Sequence, residues 1–231
     1  MPKKAFKLHL KRLRRIAQDL RYLLDRGYHK DPAVNFLGNR WRLHRIEREI
    51  LKRAVFSTQE AQKRRQKILP LEQIPGKVIH VDTYNLLYTV ESALLDLPVF
   101  QSDDGMIRDV RKMFSVPRLA PSQILDPIFE LLGAFPPKKV VFFLDRPVGK
   151  SGQLALRIEG FLEKHGLRGE ARLVEAADQA LKGAPFLISS DAPLVDQAEK
   201  VFDLAGKVIL KLGRRPFSLL EEPSPPTFTE G

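Results

Sequence analysis

Residues 77–87, KVIHVDTYNLL, decide the fold. Val78, Ile79 and Val81 make a continuous apolar run with β-branched side chains, the pattern of a strand buried on both faces in a parallel sheet. The run ends on a carboxylate, Asp82, where a helix begins, and in an open α/β sheet that edge is the ligand edge. Two later runs repeat the arrangement: KVVFFLD ends on Asp145 and PFLISSD ends on Asp191. If the three strands are parallel neighbours, Asp82, Asp145 and Asp191 converge on one rim. Such a trio is either a divalent-metal site or three unrelated helix caps, because Asp at a strand-to-helix junction is a favoured N-cap.

Outward from this stretch the chain alternates strands and helices. Residues 84–95 read as a helix, 98–100 as a short strand, 103–105 as a turn, and 121–135 and 151–165 as helices. Residues 170–174 read as a strand and 176–182 as a short helix. The third apolar strand, 186–190, is followed by a helix at 193–202 and a last strand at 207–212. The alternation predicts a mostly parallel α/β sheet with helices on both faces.

The other half of the pattern is helical. Phe6, Leu10, Leu13, Ala17, Leu20 and Leu24 recur at three- and four-residue spacing, so residues 4–26 form an amphipathic helix that stops at Gly27. Asp31 and Pro32 suit a helix start, giving a second helix to residues 39–41. A third runs from 44 through 54 and on toward 67, which is compatible with a helix-turn-helix. Arg40, Arg42, Arg45, Arg48, Lys52 and Arg53 cluster around that turn with Trp41 among them. They are either a recognition surface for phosphates and bases, or a solvated basic face around a core tryptophan. KRRQK at 63–67, then Pro70, Pro75 and Gly76, mark a helix end and a linker. The expected division is a basic helical domain at 1–69, a linker at 70–76, an α/β domain at 77–212 and a proline-rich tail at 213–231, much of it disordered or draped on the surface.

Composition narrows the function classes. Of 231 residues, 43% are hydrophobic, enough for a real core, and none is cysteine, which excludes disulfides, zinc–cysteine sites and thiol nucleophiles. The formal charge of +11 is uneven: residues 1–69 hold 20 Lys and Arg against 6 Asp and Glu, a net +14. A basic module joined to a carboxylate-bearing one suggests an enzyme that holds nucleic acid with one part and acts with the other. No signal-peptide pattern or membrane-length apolar run is present, so a soluble cytoplasmic protein without a membrane partner is expected. The oligomeric state is open, a homodimer included.

Magnesium or manganese takes hard oxygen ligands and keeps several waters, so two to four carboxylates at one rim suffice. Asp196, five residues after Asp191, could face the same cleft, as could Glu91 from the first helix or Asp104 from the acidic loop. Each has a plain alternative as a solvated or turn residue. Asn85, one turn beyond Asp82, could fix a carboxylate, touch a phosphate or satisfy local backbone. Arg146, Lys150 and Ser151 precede a helix N-terminus that could hold a phosphate, with Ser151 equally suited to cap the helix. The segment is not a P-loop, because the spaced leading glycine is missing. A phosphoaspartate phosphatase fits poorly with Tyr84 two residues after Asp82, and no glycine-rich turn follows Val81 for a dinucleotide.

VDTYNLL, FFLD and ISSDAPLVD together resemble the PIN-like and NYN-type nuclease superfamily. The chain over residues 20–210 also resembles an uncharacterised prokaryotic family. That family joins a basic helical domain, here RGYHKDPAVNFLGNRWRLHRIEREILKRAV, to a PIN-like domain carrying VESALL, DDGMIRDV, LDRPVGKSG and SSDAPLVD. The resemblance implies a PIN-like fold and a Mg²⁺- or Mn²⁺-dependent nuclease, an endoribonuclease acting on RNA in preference to DNA. By position, Asp82, Asp145 and Asp191 correspond to the superfamily's acidic residues, with Asp196 as a fourth. The helix-borne acid between the first two is assigned neither to Glu91 nor to Asp104. The competing expectation is a non-catalytic nucleic-acid-binding or regulatory protein with an inert PIN-like domain.

Overall fold

The computed structural model describes residues 8–110 and 121–220. Four helices come first: α1 (Leu10–Asp25), α2 (Lys30–Arg40), α3 (Arg45–Ala54) and α4 (Thr58–Arg65). The first ends at Gly27, whose φ of +84° is the left-handed stop that glycine adopts without strain. The expected start of α1 at residue 4 lies outside the described residues. The second begins before Asp31: His29 is the N-cap, and Asp31 sits inside the first turn, where its charge suits the helix dipole. The third does not run on to residue 67. It ends at Ala54, and Ser57 and Glu60 form a reciprocal capping box that starts α4 afresh.

The α/β part follows: β1 (Val78–Asp82), α5 (Thr83–Leu94), β2 (Val99–Gln101), β3 (Ile107–Asp109), α6 (Pro121–Ala134), β4 (Lys139–Asp145), α7 (Ser151–Lys164), β5 (Gly169–Val174), α8 (Ala177–Ala180), β6 (Phe186–Ile188), α9 (Ala192–Gln197), β7 (Lys200–Val201), α10 (Leu204–Lys211) and β8 (Phe217–Ser218). Residues 193–202 therefore split into α9 and the edge strand β7. The expected last strand at 207–212 is a helix. Asp203 caps it, its carboxylate accepting from the Gly206 amide at 2.9 Å, so the apolar run is read with helical period.

Five strands form a parallel sheet in the order β5-β4-β1-β6-β7. The three apolar runs that end on Asp82, Asp145 and Asp191 belong to its three central strands. Val140, Phe142, Leu144, Ile79, Val81 and Ile188 point to one face, where α5, α6, α7 and α10 cover them. Val141, Phe143 and Leu187 point to the other, against α8, α9 and Met106. Burial on both faces is why these strands are apolar without alternation.

A second, three-stranded sheet has the order β3-β2-β8. Its β8 comes from the stretch expected to be a loose tail: Phe217 and Ser218 pair in parallel with Phe100 and Gln101, and Leu219 is buried. Phe100, Val110 and Leu219 share a core with Leu13, Ile16, Leu20, Leu37, Ile50 and Leu51 of the helices. The helical part thus closes its core on this small sheet.

The acidic loop before β3 fastens the two parts. Asp103 accepts a two-pronged bond from Arg21 at 2.6 and 2.8 Å and another from the Phe56 amide at 3.2 Å, and its own amide donates to the Ala54 carbonyl at 2.8 Å. Asp104, with no exposed surface, accepts two bonds from the buried Arg108 at 2.6 and 2.8 Å, and Arg64 lies 3.8 Å away. Its carboxyl is held below the ordinary range: the Arg108 guanidinium and the bonds from Arg108, Ser102 and the Met106 amide outweigh the desolvation that pushes it up. Asp104→Ala should therefore strip the partner from a buried guanidinium and destabilise the fold by about 3–5 kcal/mol in urea unfolding. Asp104→Leu combined with Arg108→Met should be less unstable than either single change.

Candidate functional site

Counting only the large sheet, the strand order runs third, second, first, fourth, fifth. Crossovers on the two sides of β1 go opposite ways, so the topological switch point lies between β1 and β6. Asp82 ends one of these strands, and Ser189, Ser190 and Asp191 follow the other. Val81 pairs with Ile188, which places Asp82 across from Ser189. The Ser189 hydroxyl closes the gap, donating to the Asp82 carboxylate at 2.9 Å, and the Asp191 amide donates to the same serine oxygen at 3.0 Å.

Asn85 fixes the far side of this crevice. Its amide donates to Asp82 at 3.3 Å, while its side-chain oxygen accepts from the Ser190 amide at 2.8 Å and the Ser190 hydroxyl at 3.1 Å. Arg108 reaches the same segment from β3, donating to the Ser190 carbonyl at 2.7 Å. The Asn85 side chain thus holds Ser190, distant in sequence, a role beyond those read from its spacing to Asp82.

Asp145 ends β4 beside β1, two residues past Phe143, the partner of Asp82. One of its oxygens accepts from the Ala177 amide at 2.7 Å, at the start of α8. Asp178, one residue on, was not a candidate in the sequence because α8 carries no strand-end signature. Its charge nevertheless reaches Asp82. The Asp82 carboxyl, only 7% exposed, is pushed up from 3.8 to about 7, chiefly by burial, with Asp191 and Asp178 adding repulsion against the bonds from Ser189 and Asn85. No basic side chain forms an ion pair with Asp82, Asp145, Asp178 or Asp191 among the described residues.

Three other acids expected at the rim are elsewhere. Both oxygens of Asp196 accept from Arg64, at 2.6 and 2.8 Å, which commits that carboxylate to anchoring α9. Glu91 is buried in α5, eight residues past its start and so about 12 Å along the helix from the rim. Asp104 is enclosed by Arg108.

The basic candidates divide similarly. Arg48 donates to the Leu43 carbonyl at 3.2 Å and to Asn39 at 3.0 Å, clamping α2 on α3 over Gly38. Lys52 pairs with Asp31 at 2.8 Å, and one Arg53 nitrogen is buried. Arg40, Arg42 and Arg45 are exposed. Ser151 is not a side-chain cap: its hydroxyl donates to the Arg146 carbonyl at 3.1 Å, and Lys150, in the left-handed region at φ 66°, is the N-cap. Arg146 and Lys150 lie exposed on the loop after Asp145.

Residues 71–207, more than half of the chain, match the family described as Domain of unknown function (DUF5616). The chain belongs to the DUF5616 family. Residues 12–67 match a second description, Protein of unknown function (DUF434), so the DUF5616 segment begins just where the helical part ends. Uncharacterized protein MJ0935 of Methanocaldococcus jannaschii is 28% identical over 202 residues, covering 86% of this chain and 97% of its own length. No solved structure matches the chain.

Within the DUF5616 segment the donors at the rim are all hard oxygens, and one buried carboxylate lacks a counter-charge. That is the environment a divalent cation relieves. No group of three or more His, Asp or Glu side chains stands at ligating distance among the described residues, so the fit is to an ion bound through one or two carboxylates and water. Among the described residues no helix is long and apolar enough to cross a membrane.

The raised value for Asp82 fixes a sign. A carboxyl that protonates more readily when folded opposes folding once it ionises, so its contribution is most favourable below the unfolded value near 3.8 and is lost as pH rises toward 7. Without divalent metal, Asp82→Asn should be more stable than the parent by up to about 4 kcal/mol at pH 8 and within about 1 kcal/mol of it at pH 4. Urea unfolding in EDTA at the two pH values reads this directly.

Proposed function

We propose that the protein is a metal-dependent ribonuclease whose α/β domain is PIN-like and whose basic helices hold the RNA. The observation that supports this reading is the buried, uncompensated Asp82 carboxyl at the switch point, bonded by Ser189, with Asp191 two residues beyond that serine. Asp82 and Asp191 would hold a Mg²⁺ or Mn²⁺ ion, with Asp145 and Asp178 at its margin. The chemistry such an ion supplies when bound is neutralisation of the phosphate's charge and a water acid enough to attack it.

The chain's own residues do the rest. Asn85 and Arg108 keep Ser190 in place, and the Asp191 amide bonds Ser189, which fixes the backbone that carries Asp191 beside Asp82. Lys150 and Arg146 are exposed next to Asp145, Arg146 in a surface pair with Glu175 at 3.4 Å that a phosphate could displace.

A second reading, an RNA-binding protein with an inert PIN-like domain, draws support from Asp145, which spends one oxygen on the Ala177 amide. The two part on turnover. Labelled single-stranded RNA should be cut in Mn²⁺ or Mg²⁺ and left intact in EDTA. Asp82→Asn and Asp191→Asn should each slow cleavage at least about 100-fold, in the range of losing a metal-held reacting group, while RNA affinity in EDTA stays within about twofold. Intact RNA after long incubation of the parent with either ion would favour the inert reading.

A further inference from the structure

Helix α1 buries Leu13, Ile16, Ala17, Leu20 and Leu24, and turns Lys11, Arg12, Arg15, Tyr22 and Arg26 outward. From Lys11 to Arg26 this face is about 22 Å long. None of its four cations makes an ion pair among the described residues. Both acids of the helix are exposed: Asp25 accepts from Thr58, and Asp19 lies among the cations. Two of the cations lie over aromatic rings instead. The Arg26 guanidinium lies 4.6 Å from the Tyr22 ring centroid, and that of Arg15 lies 5.7 Å from the Trp41 ring. Arg12 donates to the Trp41 carbonyl, and Lys11, Arg12, Arg15 and Trp41 line one hollow with Leu8, His9 and Leu10; the Trp41 ring is half-buried, packed on one side against the helical core.

Tyr22 stands opposite the core with 59% of its surface exposed, so packing does not account for it. Rings flanked by cations without acid partners match what single-stranded nucleic acid needs: charge along the backbone and faces on which unpaired bases stack. A duplex keeps its bases stacked on one another and cannot use the rings. At the α2–α3 turn Arg48 is bonded internally and Lys52 pairs with Asp31, while the exposed Arg40, Arg42 and Arg45 have no exposed phenylalanine, tyrosine or tryptophan between them in sequence.

We infer that the outer face of α1, with Trp41, is the docking track for single-stranded RNA. The choice of RNA over DNA rests on the ribonuclease reading; the track itself does not. The test uses the full chain in EDTA, so that nothing is cut, and the fluorescence anisotropy of a labelled RNA of about 20 nucleotides, longer than one binding site. Tyr22→Ala should weaken binding about tenfold while leaving its salt dependence unchanged, since one stacked base is lost. Lys11→Ala with Arg15→Ala should make the slope of log affinity against log salt shallower by about 1.4, two phosphate contacts on a single strand. Binding of the same sequence as a duplex should not respond to Tyr22→Ala. These substitutions lie on an exposed helix face, and their melting temperatures check that the fold is kept.

Single-strand affinity within twofold of the parent in both variants overturns the track and leaves the ribonuclease reading standing. So does an equal loss for single strand and duplex in Tyr22→Ala. A parent that binds no RNA, yet hydrolyses bis(p-nitrophenyl) phosphate in Mn²⁺, overturns the track and keeps the metal-dependent phosphodiesterase chemistry. A track that behaves as expected in a protein that cuts nothing supports the docking surface and removes the nuclease.

Discussion

The buried pair of Asp104 and Arg108 is the interaction on which the rest of the molecule depends. Arg108 is 2% exposed and spreads its donors over Asp104, the Ser102 hydroxyl and the Ser190 carbonyl. One side chain therefore ties the small sheet to the rim of the large one. Arg64 extends the arrangement from the helices, with Asp196 on one side and Asp104 on the other. A buried ion pair adds little net stability, because desolvation offsets most of the attraction. What this one supplies is register: the helical part, the loop before β3 and residues 189–196 can satisfy their charges in one arrangement only.

That register matters because the crevice between β1 and β6 is electrostatically unfavourable by itself. Asp82 is buried, feels the negative charge of Asp191 and Asp178, and has a serine hydroxyl and a backbone amide as hydrogen-bond partners. Asn85 from α5, Arg108 from β3 and Arg64 acting through α9 hold the crevice closed from three directions.

Much of the fold was legible in the chain because burial on both faces leaves a one-dimensional trace. The runs ending on Asp82, Asp145 and Asp191 are central strands, and the α1 pattern of Leu13, Leu20 and Leu24 is a buried stripe. Residues 207–212 misled because a short apolar run carries no period of its own, and only the Asp203 cap settles it as helix. Likewise Phe217 and Leu219 sit in a proline-rich stretch that composition assigns to a tail, although the small sheet gives them a partner. The carboxylates show the same divide. Asp82 and Asp191 were marked by their strands, whereas Asp196 and Asp104 looked alike on paper and proved to be locked by Arg64 and Arg108, residues distant in sequence.

By itself the sequence determined which segments are strands buried on both faces, where each ends on an acid, and that one end of the chain carries the positive charge. These properties are local, set by side-chain type and spacing. Tertiary structure alone decided which charges are free. An arginine or aspartate looks the same along the chain whether it meets water, a substrate or a buried counter-ion, and the partner that settles the matter is brought in by the fold.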